Sequence, residues 1–365
     1  MGFKIPLYIP RLGGNEKKYV NECLDSTWIS SKGKFIKEFE DKFADYTGVK
    51  YATSVTNGTT ALHLALETLG ITKGDDVIVP TFTYIASVSA IIYTGATPVF
   101  VDSLESTWQM DPEDVKRKIT PKTKAIMAVH LYGHMCDMDA LCKIADDNEL
   151  FLIEDCAEAF GSTYKGKHAG TFGDISTFSF YGNKTITTGE GGMLVTNDYY
   201  LFEKAYHLKM HGVSTVREYW HDVIGYNYRM TNICAAIGLA QLEEAGETLA
   251  KKRRLRDMYN EGLKSLPVIP HAEAEGVYHS YWMYSILVDN VKIRTALREF
   301  LYEKGIETRP TFYPAHTMPM FTHVYHKIRI AEELAIRGIN LPSFPEMKTE
   351  QVNEVCTAIK TFFKY

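Results

Sequence analysis

Between Tyr51 and Asn197 the chain repeats one unit, a short apolar run followed by an amphipathic stretch. The apolar runs fall at 51–55, 76–80, 97–102, 125–129, 151–155, 176–180 and 193–196. Runs this short and this poor in polar alternation suit strands covered on both faces. Several segments between them, 60–66 and 138–148 among them, carry helical periodicity. The pattern predicts a doubly wound α/β domain built on a mostly parallel sheet.

A length of 365 residues leaves room for a second, smaller unit. One long helical stretch is expected from about Asn232, through the basic run Lys251-Lys252-Arg253-Arg254, to about Leu263. Pro267 and Pro270 then interrupt any helix. We therefore expect a large domain with an N-terminal arm over residues 1–265 and a small α+β domain over 266–365. The latter holds a strand-like aromatic run at 281–288, a helix at about 293–304 and a last helix from about Lys348.

The residues that bear chemistry cluster late in the repeating region. Glu154-Asp155 closes the fifth apolar run, Lys184 stands in Ser179-Phe180-Tyr181-Gly182-Asn183-Lys184-Thr185, and the turn Gly189-Glu190-Gly191-Gly192 follows. A pyridoxal phosphate (PLP) enzyme needs such a set: a lysine amine for the cofactor's aldehyde, a fixed anion for its ring nitrogen, and hydroxyls with backbone N–H groups for its phosphate. In an open parallel sheet, ligands gather outside the carboxyl ends of the strands. Asp155, Tyr84, His130 and Ser179 all fall at or just beyond such ends. Taken singly, Asp155 reads equally as a helix cap or a salt-bridge partner. The segment Thr56-Asn57-Gly58-Thr59-Thr60 enters an apolar helix, and its N–H groups and dipole suit either a phosphate or a plain N-cap.

Other readings fare worse. No Gly-x-Gly-x-x-Gly element is present, and Gly161-Ser-Thr-Tyr-Lys-Gly166-Lys167-His168 has P-loop spacing without the Ser or Thr that would meet magnesium, so it reads as a hairpin or surface loop. His207 and His211 stand four apart on a predicted helix, and His130 and His134 share that spacing; neither pair has an evident third ligand, so no metal site is expected. The run 251–254 reads as a wet helix surface. A net charge of −5 without any long Lys/Arg run argues against nucleic acid as a partner. Six scattered cysteines suit free thiols in a reducing cytoplasm. The N-terminus has no signal-peptide pattern and no apolar run reaches membrane-spanning length, so neither secretion nor a membrane is expected.

Three longer stretches carry a resemblance. Ile153-Glu-Asp-Cys-Ala-Glu-Ala-Phe-Gly161, the segment from Gly173 to Gly192, and Gly225-Tyr-Asn-Tyr-Arg-Met-Thr-Asn232 resemble the sugar-nucleotide aminotransferases, PLP enzymes of the aspartate aminotransferase fold (fold type I). Thr27-Trp-Ile-Ser-Ser-Lys-Gly33, the run from Asn57 to Leu66 and Arg309-Pro-Thr-Phe-Tyr-Pro-Ala-His-Thr-Met-Pro319 extend the likeness over essentially the whole chain.

The likeness runs strongest to members that aminate C4 of GDP-4-keto-6-deoxymannose with L-glutamate as donor, in glycan and O-antigen biosynthesis. It implies Lys184 as the Schiff-base lysine and proton shuttle, and Asp155 as the partner of the ring nitrogen. It further implies Tyr84 stacked on the ring, Glu158 as a polar neighbour, and Gly58, Thr59 and Ser179 as the phosphate cradle. Asn227 would reach the phosphate of a neighbouring subunit, making a homodimer obligatory. Trp28, Arg229, Tyr313 and His316 would contact the nucleotide sugar. Alternatives are a UDP- or dTDP-linked sugar as substrate, a dehydratase relative, against which Lys184 argues, and a non-catalytic PLP-fold sensor or scaffold.

Overall fold

The computed structural model describes residues 2–364. Its main sheet holds β1 (Tyr51–Val55), β2 (Asp76–Pro80), β3 (Thr97–Val101), β4 (Thr123–Val129), β5 (Phe151–Asp155), β6 (Ile175–Ser179) and β7 (Gly192–Thr196). Their spatial order is β1-β7-β6-β5-β4-β2-β3. The pairs β2–β3, β2–β4, β4–β5 and β5–β6 are parallel, and β7 runs against both of its neighbours. The mostly parallel sheet expected from the repeating apolar runs is thus present.

Why the runs are apolar throughout is visible in the core. Val77, Val79, Ala125, Met127 and Ile153 face one apolar layer with Leu62, Leu66 and Ile91, whereas Ile78, Ile126, Ala128 and Leu152 face the other with Phe43, Leu141 and Ile144. Successive strand residues point to opposite faces, and both faces are covered by helices. Phe39, Phe43, Phe178 and Phe180 pack against one another with ring centroids 4.9 to 6.0 Å apart. Truncating one such buried ring to alanine costs about 3–5 kcal/mol.

Beyond the sheet, Ile269–Pro270, Tyr284–Leu287, Gly338–Leu341 and Arg309–Pro310 form a four-stranded antiparallel sheet, flanked by the helices Val291–Glu303, Arg329–Arg337 and Thr349–Phe362. Its apolar core also recruits Ile5 from the N-terminal segment and Leu255, Tyr259 and Leu263 from the helix Ala245–Leu263. Among the described residues no helix is long and apolar enough to cross a membrane.

Several local expectations change. The single helix from Asn232 to Leu263 is two, Asn232–Glu243 and Ala245–Leu263, broken at Glu244 (φ −99°, ψ 5°), whose carboxylate pairs with Arg11 at 2.8 Å. The aromatic run at 281–288 is strand only over Tyr284–Leu287, because Tyr281 adopts a left-handed φ of 52°. The basic run at 251–254 is not uniformly wet: Lys252 is 1 % exposed and Arg253 pairs with Glu273 at 2.6 Å. The P-loop lookalike is a hairpin, in which Thr163–Tyr164 meets Lys167–His168 across Lys165 and Gly166, both at positive φ.

Candidate active site

Five strands running in one direction, β1, β2, β4, β5 and β6, deliver their carboxyl ends to one edge of the main sheet, and a cleft of about 530 Å³ opens there. Gly58, Thr59, Tyr84, Asp155, Glu158, Ser179 and Lys184 all line it. The sequence scatters these seven residues across more than a hundred positions, and the strand order gathers them.

One end of the cleft is the start of the helix Gly58–Leu69. Asn57 caps that helix: its side chain accepts the Thr60 N–H at 2.9 Å, and the Thr60 hydroxyl accepts the Asn57 N–H at 3.2 Å. The N–H groups of Gly58 and Thr59 have no acceptor within the helix and, with the positive end of its dipole, suit an anion. Gly58 has to be glycine, since a Cβ there would stand 2.7 Å from the Ser179 Cβ. The N-cap and phosphate readings of 56–60 are therefore compatible, because Asn57 caps while its two neighbours stay free.

Asp155, at the end of β5, is buried and accepts the Ser87 hydroxyl at 2.7 Å and the Ala157 N–H at 3.1 Å. Burial holds its carboxyl above the ordinary value, opposed by these two donors and by Lys184. A cation placed against it would favour the ionised form.

Its neighbour Glu154 points the other way. Its two oxygens take five donors, from His130, Gly170, Phe172, Gly173 and Ser176. Against the cost of burial, His130 and the backbone donors hold it below the usual carboxylate range. His130, Glu154 and Cys156 bring potential ligand atoms within 4.8 Å of one another, yet a glutamate with five donors has no lone pair left for an ion.

Lys184 projects into the cleft between an acid and an aromatic wall. Its Nζ lies 3.6 Å from Glu158 Oε1 and 4.0 Å from the ring centroid of Trp282. Burial pushes the Glu158 carboxyl up to about 7, against the pull of Lys184 and of the Tyr132 N–H that it accepts at 2.8 Å. Tyr84 and Phe312, with ring centroids 5.7 Å apart, line the cleft as well. An amine, a buried carboxylate and a helix N-terminus converging on one apolar-walled cleft fit PLP at its three points of attachment.

The remaining expected residues lie elsewhere. His316 is fully buried, with Nδ1 held by Thr81 Oγ at 2.7 Å and Nε2 by Glu332 at 3.2 Å, so neither nitrogen is free for a sugar. Trp28 lines a second cavity that shares no residue with the first. Arg229 donates to Asn227 at 3.0 Å, and neither side chain lines the cleft of a single chain, although Arg229 bridges Val55 just ahead of the cradle. Tyr313 is half-exposed and adjoins Phe312 without lining the cleft. His211 stands past the end of the helix Tyr199–Lys209 at φ 64°, so it and His207 do not share a helix face.

Three residues that line the cleft, Ser87, Trp282 and Phe312, were not anticipated as site residues. Ser87 had one local signal, a hydroxyl inside the apolar helix Ile85–Tyr93. Trp282 had none beyond its place in an aromatic run.

The chain is 62% identical over 359 residues to "GDP-perosamine synthase" of Escherichia coli O157:H7, covering 98% of each. It is 53% identical over 363 residues to the protein of that name from Vibrio cholerae, covering 98% of this chain and 99% of that one. Its fold matches Spr1654 of Streptococcus pneumoniae in the PLP form with a TM-score of 0.94 and 29% identity, over 99% of this chain and 98% of that one. With its family model matched over residues 10–360, the chain belongs to the DegT/DnrJ/EryC1/StrS aminotransferase family.

Proposed function

We propose that this chain is a PLP-dependent aminotransferase that carries the amino group of L-glutamate to C4 of GDP-4-keto-6-deoxy-D-mannose, giving GDP-perosamine for glycan assembly. The observation that carries the reading is the meeting of Lys184, Asp155 and the helix start at Gly58 in one cleft. The names of the relatives at 62% and 53% identity support the GDP sugar over its UDP- or dTDP-linked counterparts. We place catalysis in a large domain over 1–265 and a small domain over 266–365, in a cytoplasmic homodimer.

When bound, the cofactor supplies the electron sink that lets an amine pass between two carbons. The rest falls to the chain. The Gly58 and Thr59 N–H groups and the Ser179 hydroxyl would hold the cofactor's phosphate, and Tyr84 would cover its ring. Asp155 keeps a negative charge at the ring nitrogen, and Ser87 fixes the direction of that carboxylate. Lys184 Nζ would hold and move the proton at Cα of the donor in the first half-reaction, and separately the proton that arrives at C4 of the sugar in the second. Glu158, titrating near 7 beside that amine, can accept or supply a proton at Nζ. Trp282 and Phe312 keep water from the reacting end.

Asn227 serves the partner copy's phosphate, and Trp28, Arg229 and Tyr313 meet the sugar nucleotide only once two chains assemble. Mixing inactive Lys184→Ala and Asn227→Ala copies tests the dimer: shared sites predict partial recovery of activity, and no recovery contradicts them. The activity itself is tested by incubating the protein with glutamate and each 4-keto-6-deoxy nucleotide sugar in turn. Amination of the GDP sugar is expected, and preference for a UDP or dTDP sugar would overturn the substrate.

A further inference from the structure

The buried lysine of the basic run has no part in the site described above, yet its contacts lead straight to it. Lys252 Nζ donates to the Trp282 carbonyl at 2.9 Å, to the Ser343 hydroxyl at 3.3 Å and to the Ser343 carbonyl. It also faces the ring of Tyr8 at 5.5 Å from the centroid. Tyr8, in turn, donates its hydroxyl to the Lys184 carbonyl at 2.8 Å. Trp282 donates its indole N–H to the Asn183 carbonyl at 2.6 Å, while its face meets Lys184 Nζ. The contacts close a ring: two successive carbonyls, of Asn183 and Lys184, are gripped by two aromatic residues, and one buried ammonium is set against both.

The three anchors come from separate parts of the chain. Tyr8 lies on the N-terminal segment, which is tied down by the Ser343 N–H to the Leu7 carbonyl at 3.1 Å and by the Leu7 N–H to Glu307 at 3.0 Å. Lys252 lies on the helix Ala245–Leu263, and Trp282 just ahead of the strand Tyr284–Leu287. Burial pushes the Tyr8 phenol up, so it remains a donor at any working pH. Burial also pulls the Lys252 amine down, to about 7, and its oxygen acceptors favour the charged form. Packing alone would be served as well by a methionine at 252, since a buried charge is costly even when satisfied. What an ammonium adds is direction, because it fixes the carbonyl of Trp282 and holds the face of Tyr8.

We propose that Tyr8 and Lys252 are positioning residues that lock the Asn183–Lys184 backbone against the Trp282 wall and so aim the Lys184 amine into the cleft. The inference rests on the proposed role of Lys184. A lysine side chain has four rotatable bonds, and holding its main chain and one aromatic face removes much of that freedom before any ligand arrives. The aromatic face also favours a cation set against it, so loosening the clamp should shift the pH response of the loaded protein's visible absorbance.

The test uses the full-length protein loaded with PLP, and reads the pH midpoint of its visible absorbance. Tyr8→Phe removes one hydroxyl and keeps the ring over Lys252. It should lower the midpoint by about half a pH unit or more, roughly a threefold change in the equilibrium, with urea unfolding showing the variant folded. In a Lys252→Met background the same substitution should move the midpoint less than half as far, because Tyr8 has already lost its anchor. A midpoint unchanged by Tyr8→Phe, or moved equally in both backgrounds, overturns the proposal; if Lys252→Met does not fold, Tyr8→Phe alone decides. Failure of the underlying reading looks different: borohydride would then leave no cofactor mass on Lys184 of the wild-type protein.

Discussion

Replacing Glu158 with glutamine should make the cofactor-free protein more stable at alkaline pH than at acid pH, relative to wild type. Burial raises the Glu158 carboxyl from 4.5 to about 7. A raised value means that the folded state binds the proton more tightly than the unfolded chain does. The resulting stabilisation is complete below 4.5 and is lost as pH rises through about 7. The shift corresponds to about 3 kcal/mol. Glutamine has no proton to lose, and its amide oxygen can still accept the Tyr132 N–H. The stability of Glu158→Gln minus that of wild type should therefore grow by about 3 kcal/mol between pH 4.5 and roughly pH 8. Urea unfolding followed by tryptophan fluorescence at half-unit steps of pH measures that difference directly. A difference that stays flat, or that shrinks as pH rises, would refute the burial argument and with it the placement beside Lys184 of an acid that titrates near neutrality.

Asp155→Asn, which keeps the shape and removes the charge, should lower kcat/KM by about 2–4 kcal/mol of transition-state stabilisation, roughly 30- to 1000-fold; steady-state rates at wild-type levels would sink the ring-nitrogen role. Ser87→Ala removes one donor to that carboxylate and should cost about 1 kcal/mol, around fivefold in the same assay. Gly58→Ala forces a Cβ to 2.7 Å from Ser179 and should weaken PLP binding about tenfold or more in equilibrium dialysis, whereas unchanged binding would move the phosphate elsewhere. His134, which donates to the Met135 carbonyl at 2.6 Å and accepts the Ala274 N–H at 3.1 Å, is pulled down to about 4 by burial. Its lowered value contributes about 3 kcal/mol above pH 6.5 that is lost as pH falls to about 4, so the urea stability of His134→Gln relative to wild type should rise across that interval as pH is lowered.

What the sequence displayed plainly was whatever local periodicity governs. The seven strands of the main sheet lie within two residues of the apolar runs at each end, because strands buried on both faces leave an uninterrupted apolar signal. The gathering of Asp155, Tyr84 and Ser179 followed from one rule about strand ends, which also pointed to His130, a residue that Glu154 holds outside the cleft; Lys184 stood out through its local run, and its assignment to a cofactor came from a resemblance. Features set by distant partners were hidden. Lys252 sits in a basic run and looks solvated, and its acceptors lie 30 and 91 residues away. His316 looks like a sugar contact until Thr81, 235 residues earlier, is seen to hold its ring. The left-handed turn at Tyr281 carries no glycine or proline to announce it, and the break at Glu244 only Gly246 two residues later.

The central claim is that Lys184, and no other amine, carries the cofactor. Reducing the PLP-loaded protein with borohydride, digesting it and locating the pyridoxyl mass by mass spectrometry tests this most directly. The account predicts the label on the peptide containing Lys184 and its disappearance in Lys184→Ala; a label on another lysine, or on none, would contradict it.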